Sequence, residues 1–342
     1  MVKLSDVAAA AGVSTSVASR VLSSDADARI SDVTRQRVEQ VARDLNYTPN
    51  ARSRALRFSR SEALGLVIPD VSNSVFAELH AGVEHAAWQR GWSVLLGQIG
   101  APGSDRAALS QLFGRGKVDG VIIQRREDTD DTQLRAALDL DMPIVLFNSV
   151  LADRTGSVIL PDEHAARIAV EHLVALGHRR IAIIGGRTTH DAARRRSEAA
   201  RSALADAGLE PVAEIEAGWE APEGKAAMAQ LFSNGSHPTA VFVASVNAAL
   251  GAASRAMSSG VHLPDELSII AIQDTWVAQV YEPSMTVVQM PLRNGGELAA
   301  DMLLDAVTSS TPLRDVIATP APRLIERNST RPPKDEIVAS GR

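Results

Sequence analysis

Beyond residue 61, short unbroken apolar runs alternate with longer stretches in which alanine, leucine and arginine recur at helical spacing. We interpret eight of the runs as buried strands: ALGLVIPD, WSVLLGQ, DGVIIQ, PIVLFNS, SVILPD, RIAIIGG, TAVFVAS and LSIIAIQD. Continuously apolar strands that alternate with helices are typical of doubly wound parallel sheets. Eight strands are many for one such sheet, so the pattern predicts an α/β fold with two similar lobes.

The same pattern indicates where the chain passes between the lobes. We expect a first crossing after FNSVLADRTGS, and later crossings near IQDTW and within the C-terminal strands of DVIATPAPRLIE. Ligands of such sheets bind outside the carboxyl ends of the strands. A binding cleft is therefore expected where those ends meet.

In the first sixty residues the apolar positions recur at a different spacing, which predicts three short helices. The segment LSDVAAAAG starts with Ser5 as its expected N-cap and ends at Gly12, a residue typical of the position just past a helix. A second helix is expected to begin after Ser14, its expected N-cap, and a third runs from Ser31 through TRQRVEQVARDLNY. Three small helices with a glycine turn between the first two predict a helix-turn-helix.

The second helix has one polar and one apolar face when it is projected at about 100° per residue. The polar face carries Thr15, Ser16, Ser19 and Arg20, and the apolar face carries Val17, Ala18, Val21 and Leu22. Short hydroxylated side chains let a helix backbone approach base edges in a major groove, while the arginine reaches a base or a phosphate. The alternative is a small helical bundle that binds no nucleic acid.

Charge favours the DNA-binding interpretation. Residues 1–60 carry ten Lys and Arg against six Asp and Glu, a net charge of +4, whereas the whole chain has a net charge of −6. Four arginines lie within ARSRALRFSR alone, around the apolar Leu56. A basic head on an acidic body suggests that the head meets a polyanion, although a solvated basic linker is the alternative. Pro49 and Asn50 predict the end of the third helix and the cap of a short hinge helix, from which Leu56 enters a minor groove.

Four segments carry a resemblance to a known family: LSDVAAAAGVS, SRVL, TRQRVEQVARDLNYTPNARSRAL and EHLVALGHRRIAIIGG. From Leu4 to about Asn328 the chain resembles the lac repressor family of bacterial transcription regulators. The resemblance implies an N-terminal all-α helix-turn-helix head with a hinge helix. Two doubly wound parallel-sheet lobes of periplasmic-binding-protein-like architecture follow.

The resemblance also implies DNA contacts residue by residue. Thr15, Ser16 and Arg20 match the base-reading positions of the recognition helix, and Leu56 matches the minor-groove intercalator. The full set of expected DNA-binding residues is Leu4, Ser5, Ser14, Thr15, Ser16, Ser19, Arg20, Arg29, Thr34, Tyr47, Asn50, Ser53 and Leu56. The chain departs from the family at two places, because Val17 and Ala18 replace a usual Thr-Val pair and SSDADAR is two residues longer than usual.

For the cleft, the resemblance implies an effector pocket. The expected effector-binding residues are Asn73, Phe76, Gln124, Asn148, His190, Arg196, Trp219, Ser245 and Gln273. Arg196 matches an arginine that commonly binds effector, since a guanidinium holds two hydroxyls or a carboxylate, and Trp219 matches an aromatic position that stacks on a ligand ring. Asn148 and Gln273 replace residues that are often acidic, which counts against an ordinary sugar effector. A cleft that binds nothing specific is the alternative.

Composition narrows the class of protein. The chain of 342 residues is 45% hydrophobic and 22% charged and contains no cysteine, which excludes disulfides and thiolate metal sites. We recognise neither a signal peptide nor an apolar run of the ~18–20 residues that span a membrane, so we expect a cytoplasmic protein. No metal-ligand spacing, P-loop, GxGxxG or GxSxG motif is present, so we expect no metal and no cofactor. We interpret the basic run RTTHDAARRR as mostly solvated surface.

These patterns predict a homodimeric transcription regulator, a repressor, that binds palindromic operator DNA and a small-molecule effector such as a sugar or sugar derivative. We expect four parts: a DNA-binding domain (1–48), a hinge (49–61), a two-lobe effector-binding and dimerisation domain (62–330) and a disordered polar tail (331–342). The alternatives are a cytoplasmic α/β enzyme, a solute-binding protein, and an effector-independent regulator with a degenerate pocket.

Overall fold

The computed structural model of the chain describes residues 2–22, 30–47, 60–98, 113–114, 116–129, 131–137, 142–151 and 156–334. Contacts divide the chain into two compact units, Met1–Ser61 and Glu62–Arg342. We call the first unit the head and the second unit the body.

Three helices form the described part of the head: α1 (Leu4–Ala10), α2 (Thr15–Leu22) and α3 (Asp32–Asp44). Gly12 links α1 to α2 with a φ of +63°, in the left-handed region that glycine adopts without a steric penalty. Small side chains let the three helices pack closely around a minimal core. Its buried members are Val7, Ala8, Ala11, Ala18, Val21, Val38 and Ala42. The predicted helix-turn-helix is confirmed.

The predicted cap of α1 is wrong. The helix begins at Leu4, so Ser5 lies inside its first turn and Lys3 occupies the cap position. The carboxylate of Asp6 accepts the backbone N–H of Lys3 at 2.8 Å. The acidic residue therefore closes this helix end, as the Glu or Gln of a capping box does.

The caps of the other two helices are confirmed. Ser14 Oγ accepts the backbone N–H of Val17 at 3.2 Å, ahead of α2. Ser31 Oγ accepts the backbone N–H of Thr34 at 3.3 Å, ahead of α3. Both bonds satisfy an amide that has no partner within its own helix.

The body consists of two lobes, each built on one sheet. In the described residues, the first sheet contains β1 (Ala63–Ile68), β2 (Ser93–Gln98), β3 (Gly120–Gln124), β4 (Ile144–Phe147), β5 (Gly156–Ile159) and β11 (Asp315–Ile317). The order is β11-β5-β4-β3-β1-β2, and all neighbours are parallel. The described helices of this lobe are α4 (Val75–Gln89), α5 (Asp131–Ala137) and α11 (Leu292–Ser309).

The second sheet repeats this topology. It contains β6 (Ile181–Gly185), β7 (Ala213–Glu216), β8 (Ala240–Val243), β9 (Ser268–Ile272), β10 (Thr286–Gln289) and β12 (Arg323–Ile325), in the order β12-β10-β9-β8-β6-β7. Only the pairing of β12 with β10 is antiparallel among the described strands of this sheet. Its helices are α6 (Asp162–Ala175), α7 (Asp191–Asp206), α8 (Ala221–Ser233), α9 (Val246–Ser258) and α10 (Trp276–Val280). The predicted two-lobe α/β fold is confirmed.

The crossings between the lobes differ in part from the prediction. The C-terminal crossing is confirmed, since β11 belongs to the first sheet and β12 to the second. The first crossing follows β5, which still pairs with β4 in the first sheet. The crossing expected near IQDTW is wrong: the chain forms only the short helix α10 there and returns as β10, parallel to β9. It crosses instead between β10 and α11.

The first residues of the predicted polar tail lie against the second lobe. The backbone N–H of Arg331 donates to Ser268 Oγ at 3.1 Å, and a ring nitrogen of the buried His178 lies 2.9 Å from the Arg331 carbonyl. Lys334 pairs with Asp265 at 3.6 Å. Residues 335–342 lie outside the described part of the chain. Among the described helices, none is both long enough and apolar enough to cross a membrane.

Candidate functional site

A cavity of about 430 Å³ lies between the two lobes of the body. Its walls are formed by residues at the carboxyl ends of β1, β3 and β4 in the first lobe and of β6, β8 and β9 in the second. All nine residues of the expected effector set line this cavity. Its volume is within the range of small-molecule sites, about 300–1,000 Å³. Effector contact by these side chains stays a prediction.

Two amide side chains occupy equivalent positions in the two lobes. Asn148 directly follows β4 and Gln273 directly follows β9. These two strands hold the same place in their sheets, each the third strand in the order given above. Both have positive φ, +52° and +79°. Each donates its backbone N–H to the next strand, to Val158 O at 2.7 Å and to Val288 O at 2.9 Å. Such backbone strain in non-glycine residues clusters at ligand sites.

A buried ion-pair network supports one wall of the cavity. Arg196, 2% exposed, donates from Nε to Asp162 Oδ1 at 2.6 Å and from Nη1 to the Ala244 carbonyl at 2.7 Å. Arg195 donates to the other Asp162 oxygen at 2.7 Å and to Asn148 Oδ1 at 2.8 Å. Asp162 therefore fixes both arginines, and Arg195 connects the second lobe to the first.

An aromatic group lies beside this network. The guanidinium carbon of Arg196 is 5.1 Å from the Trp219 ring centroid, a cation–π contact. The His190 ring meets the same indole edge-to-face, with centroids 5.6 Å apart and planes at 83°. Trp219 thus contacts two other cavity residues, and the indole itself lines the cavity.

His190 is neutral at physiological pH. Burial, together with the positive charges of Arg125 and Arg196, lowers its pKa from 6.5 to about 4. The ring is 3% exposed, and its Nδ1 has no hydrogen-bond partner in the described structure. It can therefore present a ring acceptor or donor to a ligand without adding charge to the site.

Carboxylates gather at another part of the cavity wall. Glu127 lies in the loop after β3, while Glu220 and Glu223 lie at the start of α8. Asn73 of the first lobe donates to Glu220 Oε1 of the second at 2.8 Å. Arg187 lies 3.5 Å from Glu127 and 3.9 Å from Glu223. Acidic side chains are therefore present in this cleft, although not at the positions that the family resemblance marks.

Burial and the neighbouring charge of Glu223 raise the pKa of Glu127 to about 7, and the attraction of Arg187 opposes the rise. Its Oε2 is buried without a partner in the described structure. A carboxyl group with a raised pKa stabilises the folded body below its ordinary pKa, and this contribution is lost as the pH rises toward the folded-state value. For Glu127 the window runs from about pH 4.5 to about pH 7.

We therefore expect Glu127→Gln to stabilise the body relative to the parent chain more at about pH 8 than at about pH 5, because glutamine never carries the buried charge. Urea unfolding at both pH values measures the difference. Glu163→Gln, at an exposed residue of α6, is the matched control and should show no such trend. A Glu127→Gln difference that is equal at the two pH values would contradict the buried carboxyl.

The charged residues that enter the cavity from loops and helix starts were not predicted from the sequence. They are Arg125, Arg126, Glu127, Asp128, Arg187, Glu220 and Glu223. A charge on a loop looks in sequence like solvated surface, and the interpretation of RTTHDAARRR as mostly solvated is wrong for Arg195, whose side chain is 14% exposed and pairs with Asp162. One usable signal was present, because RRED directly follows β3, at the carboxyl end where ligands bind.

In the head, the structure exposes the expected base-reading side chains. Thr15, Ser16 and Arg20 are exposed on α2, while Ala18 and Val21 are buried on its other face. Ser5 and Ser14 are exposed, and Leu4, Ser19, Thr34 and Tyr47 are half-buried. The remaining expected DNA-binding residues, Arg29, Asn50, Ser53 and Leu56, lie outside the described residues.

Head and body together define a class of protein, a helix-turn-helix unit joined in sequence to a ligand-binding body of periplasmic-binding-protein-like architecture. Residues 3–50 match the family described as "Bacterial regulatory proteins, lacI family", and residues 170–330 match the "Periplasmic binding protein-like domain". The HTH-type transcriptional regulator DegA of Bacillus subtilis (strain 168) is 31% identical over 339 residues, covering 96% of this chain and 97% of DegA.

Solved structures that resemble this chain belong to the same family. A LacI family transcriptional regulator from Mycobacterium smegmatis is 46% identical with a TM-score of 0.76, covering 79% of this chain and 100% of that chain. The lac repressor dimer bound to operator and the anti-inducer ONPF is 29% identical with a TM-score of 0.79, covering 96% and 99%. The chain belongs to the lacI family of bacterial regulatory proteins.

Proposed function

We propose that this protein is a transcriptional repressor whose affinity for operator DNA is set by a small molecule bound between the two lobes. The observation that carries the proposal is the combination of two sites in one chain. The head exposes hydroxyl and arginine side chains on α2, and the body encloses a polar cavity that contains Trp219 and Arg196. Short polar side chains suit a major groove, and the ring with the buried arginine suits a sugar or sugar derivative.

Contacts across the cleft support control by lobe closure. The first lobe meets the second through Asn73–Glu220 at 2.8 Å, Arg125–Thr189 O at 3.0 Å, Val150–Asp191 at 3.3 Å and Asn148–Arg195 at 2.8 Å. A ligand that adds bonds to both lobes stabilises this closed arrangement over an open one. It changes operator affinity only by its differential affinity for the two arrangements.

We propose that the protein acts as a homodimer, since two-fold symmetry suits a palindromic operator. Each lobe exposes an apolar surface that suits a partner subunit. In the first lobe, Leu95 and Leu96 are exposed on the edge strand β2 and Trp88 on α4; in the second, Trp276 and Val280 are exposed on α10. An exposed edge strand and apolar patches of this kind are commonly covered in an assembly.

We further propose that the cavity binds without turnover and that the protein works in the cytoplasm, where operator DNA lies. The family membership and the DNA-binding head support both points. A turnover assay on every ligand that raises the melting temperature tests the first. Ligand consumption at a rate that scales with protein concentration would replace the repressor proposal by an enzyme.

Operator binding should depend steeply on salt. For roughly five to ten phosphates neutralised per dimer, the slope of log affinity against log salt is about −4.5 to −9. The measurement is selection of the bound sequence from random DNA by the full chain, followed by fluorescence anisotropy at several salt concentrations. No enriched sequence, or a flat salt dependence, would contradict DNA binding by the head.

A further inference from the structure

One part of the cavity carries more negative than positive charge. We call it the acidic end; it consists of Glu127, Asp128, Glu220 and Glu223 with Arg126 and Arg187. Four carboxylates face two guanidiniums there. The loop after β3 supplies one pair of carboxylates from the first lobe, and the start of α8 supplies the other pair from the second.

Three of the four carboxylates accept close hydrogen bonds, and for Glu223 the donor is the uncharged backbone N–H of Glu220 at 2.9 Å. Asp128 accepts two bonds from Arg126, both at 2.8 Å. Glu220 accepts the amide groups of Asn73 at 2.8 Å and Asn247 at 3.1 Å.

Glu127 and Glu223 are each offset by one long ion pair, and both pairs are to the same arginine. Arg187 lies between them, at 3.5 Å and 3.9 Å, and its side chain is 49% exposed. Pairs this long at an exposed arginine are worth little, because solvent screens them. The two carboxylates therefore repel each other across the cleft, and a further cation between them would relieve that repulsion.

A separate observation on the same cavity wall indicates a ligand. His190 and Arg125 are 3% and 4% exposed, and both line the cavity. His190 Nδ1 and Arg125 Nε are buried without a hydrogen-bond partner in the described structure. Buried polar atoms without partners are rare in native proteins, and a bound molecule is one way to satisfy them. That molecule would place polar groups against both side chains.

Resting on the effector-binding function proposed above, we propose that the ligand of this cavity carries an ammonium group, which Glu127 and Glu223 hold from opposite lobes. The ammonium donates hydrogen bonds to a carboxylate of each lobe and so favours closure of the cleft. A sugar ring that bears the amine has Trp219 as its stacking surface, adjacent in sequence to Glu220. The class of ligand is therefore an amino sugar or a similar hydroxylated amine.

The bound ammonium also changes the protonation of the site. Burial and the charge of Glu223 raise the pKa of Glu127 to about 7, so near pH 6.5 much of this carboxyl group is protonated. An ammonium placed beside it favours the charged form. Binding therefore releases a proton near this pH, and binding of an uncharged analogue does not.

The test uses the full chain and three matched forms of one disaccharide: cellobiose, its 2,2′-diamino counterpart and the N-acetylated form of that diamine. Only the diamine carries positive charge. Isothermal titration calorimetry near pH 6.5, in buffers of different ionisation enthalpy, measures both affinity and proton release. We expect the diamine to bind at least about tenfold more tightly than the other two, because a charge-assisted bond is stronger than a neutral one. Of the three forms, only the diamine should release a proton when it binds.

Variants test whether Glu127 and Glu223 hold the ammonium group. Glu223→Gln keeps an oxygen for the Glu220 backbone N–H, to which Glu223 now bonds at 2.9 Å, and should remove most of the preference for the diamine. Glu127→Gln should abolish the proton release as well. Glu163→Gln, exposed on α6, should leave both unchanged. Thermal unfolding of each variant shows that it is folded.

Equal affinity for the three forms, preference for an uncharged form, binding of none, or a preference that survives Glu223→Gln would overturn the ammonium subsite. Operator binding by the same preparations separates this result from the proposed function. A diamine that binds and leaves operator affinity unchanged supports the subsite but contradicts effector control. Operator binding that responds to another ligand, with no diamine binding, contradicts only the subsite.

Discussion

Arg196→Ala should lower the free energy of unfolding of the body by about 3–5 kcal/mol, because it removes one partner of a buried ion pair. Asp162 is 1% exposed and accepts a 2.6 Å bond from Arg196 Nε. In the variant its carboxylate keeps only the bond from Arg195 within this network, and the Ala244 carbonyl loses its 2.7 Å donor. Urea unfolding followed by tryptophan fluorescence measures the loss.

Two further variants separate the ion pair from simple loss of volume. Arg195→Ala removes a guanidinium from the same carboxylate at a position 14% exposed, and should cost less than Arg196→Ala. Combining Arg196→Ala with Asp162→Asn removes the uncompensated charge, so the double variant should lose less than the sum of the two single losses. A loss below about 1 kcal/mol for Arg196→Ala would contradict the buried pair.

The sequence predicted the fold because the relevant signals are local. Unbroken apolar runs predicted most of the strands, and the spacing around Gly12 predicted the helix-turn-helix. The strands that escaped prediction, β7 and β10, have four residues each, and two of the four in β7 are exposed, so they lack a long apolar run. The expected crossing near IQDTW failed for another reason. Whether a strand after a short helix joins the same sheet depends on packing of α11 against the first lobe, which no local pattern contains.

The expected effector residues lie together because a doubly wound fold brings strand ends to one edge, and the sequence marks those ends. Their partners were not predictable. Asp162 reads in sequence as an acidic residue of a first helical turn, where acids are common. Only the fold places it beneath Arg195 and Arg196. The same is true of Glu127 and Glu223, which are 96 positions apart and belong to different lobes. Carboxylates are missing from the positions that the family resemblance marks, whereas the fold brings carboxylates to the cavity from other elements.

Arg20→Ala should weaken operator binding by about 1–3 kcal/mol for each head that contacts a base, and should weaken binding to random DNA far less. Arg20 is exposed on the polar face of α2, whose opposite face packs into the head through Ala18 and Val21. Truncation at this exposed position leaves the core of the head intact, so the loss reports recognition rather than folding. Fluorescence anisotropy on operator and on random DNA at one salt concentration gives both values.

The matched control is Arg43→Ala, at an exposed arginine near the end of α3, whose guanidinium donates to Gln40 at 2.8 Å. It removes the same charge from the same unit at a position outside α2, so it should change operator and random-DNA affinity by similar small factors. Equal losses on the two DNAs for Arg20→Ala would show that Arg20 contacts phosphate alone. Base reading by α2 would then depend on Thr15 and Ser16, whose side chains are short enough to let the helix backbone approach the floor of the groove.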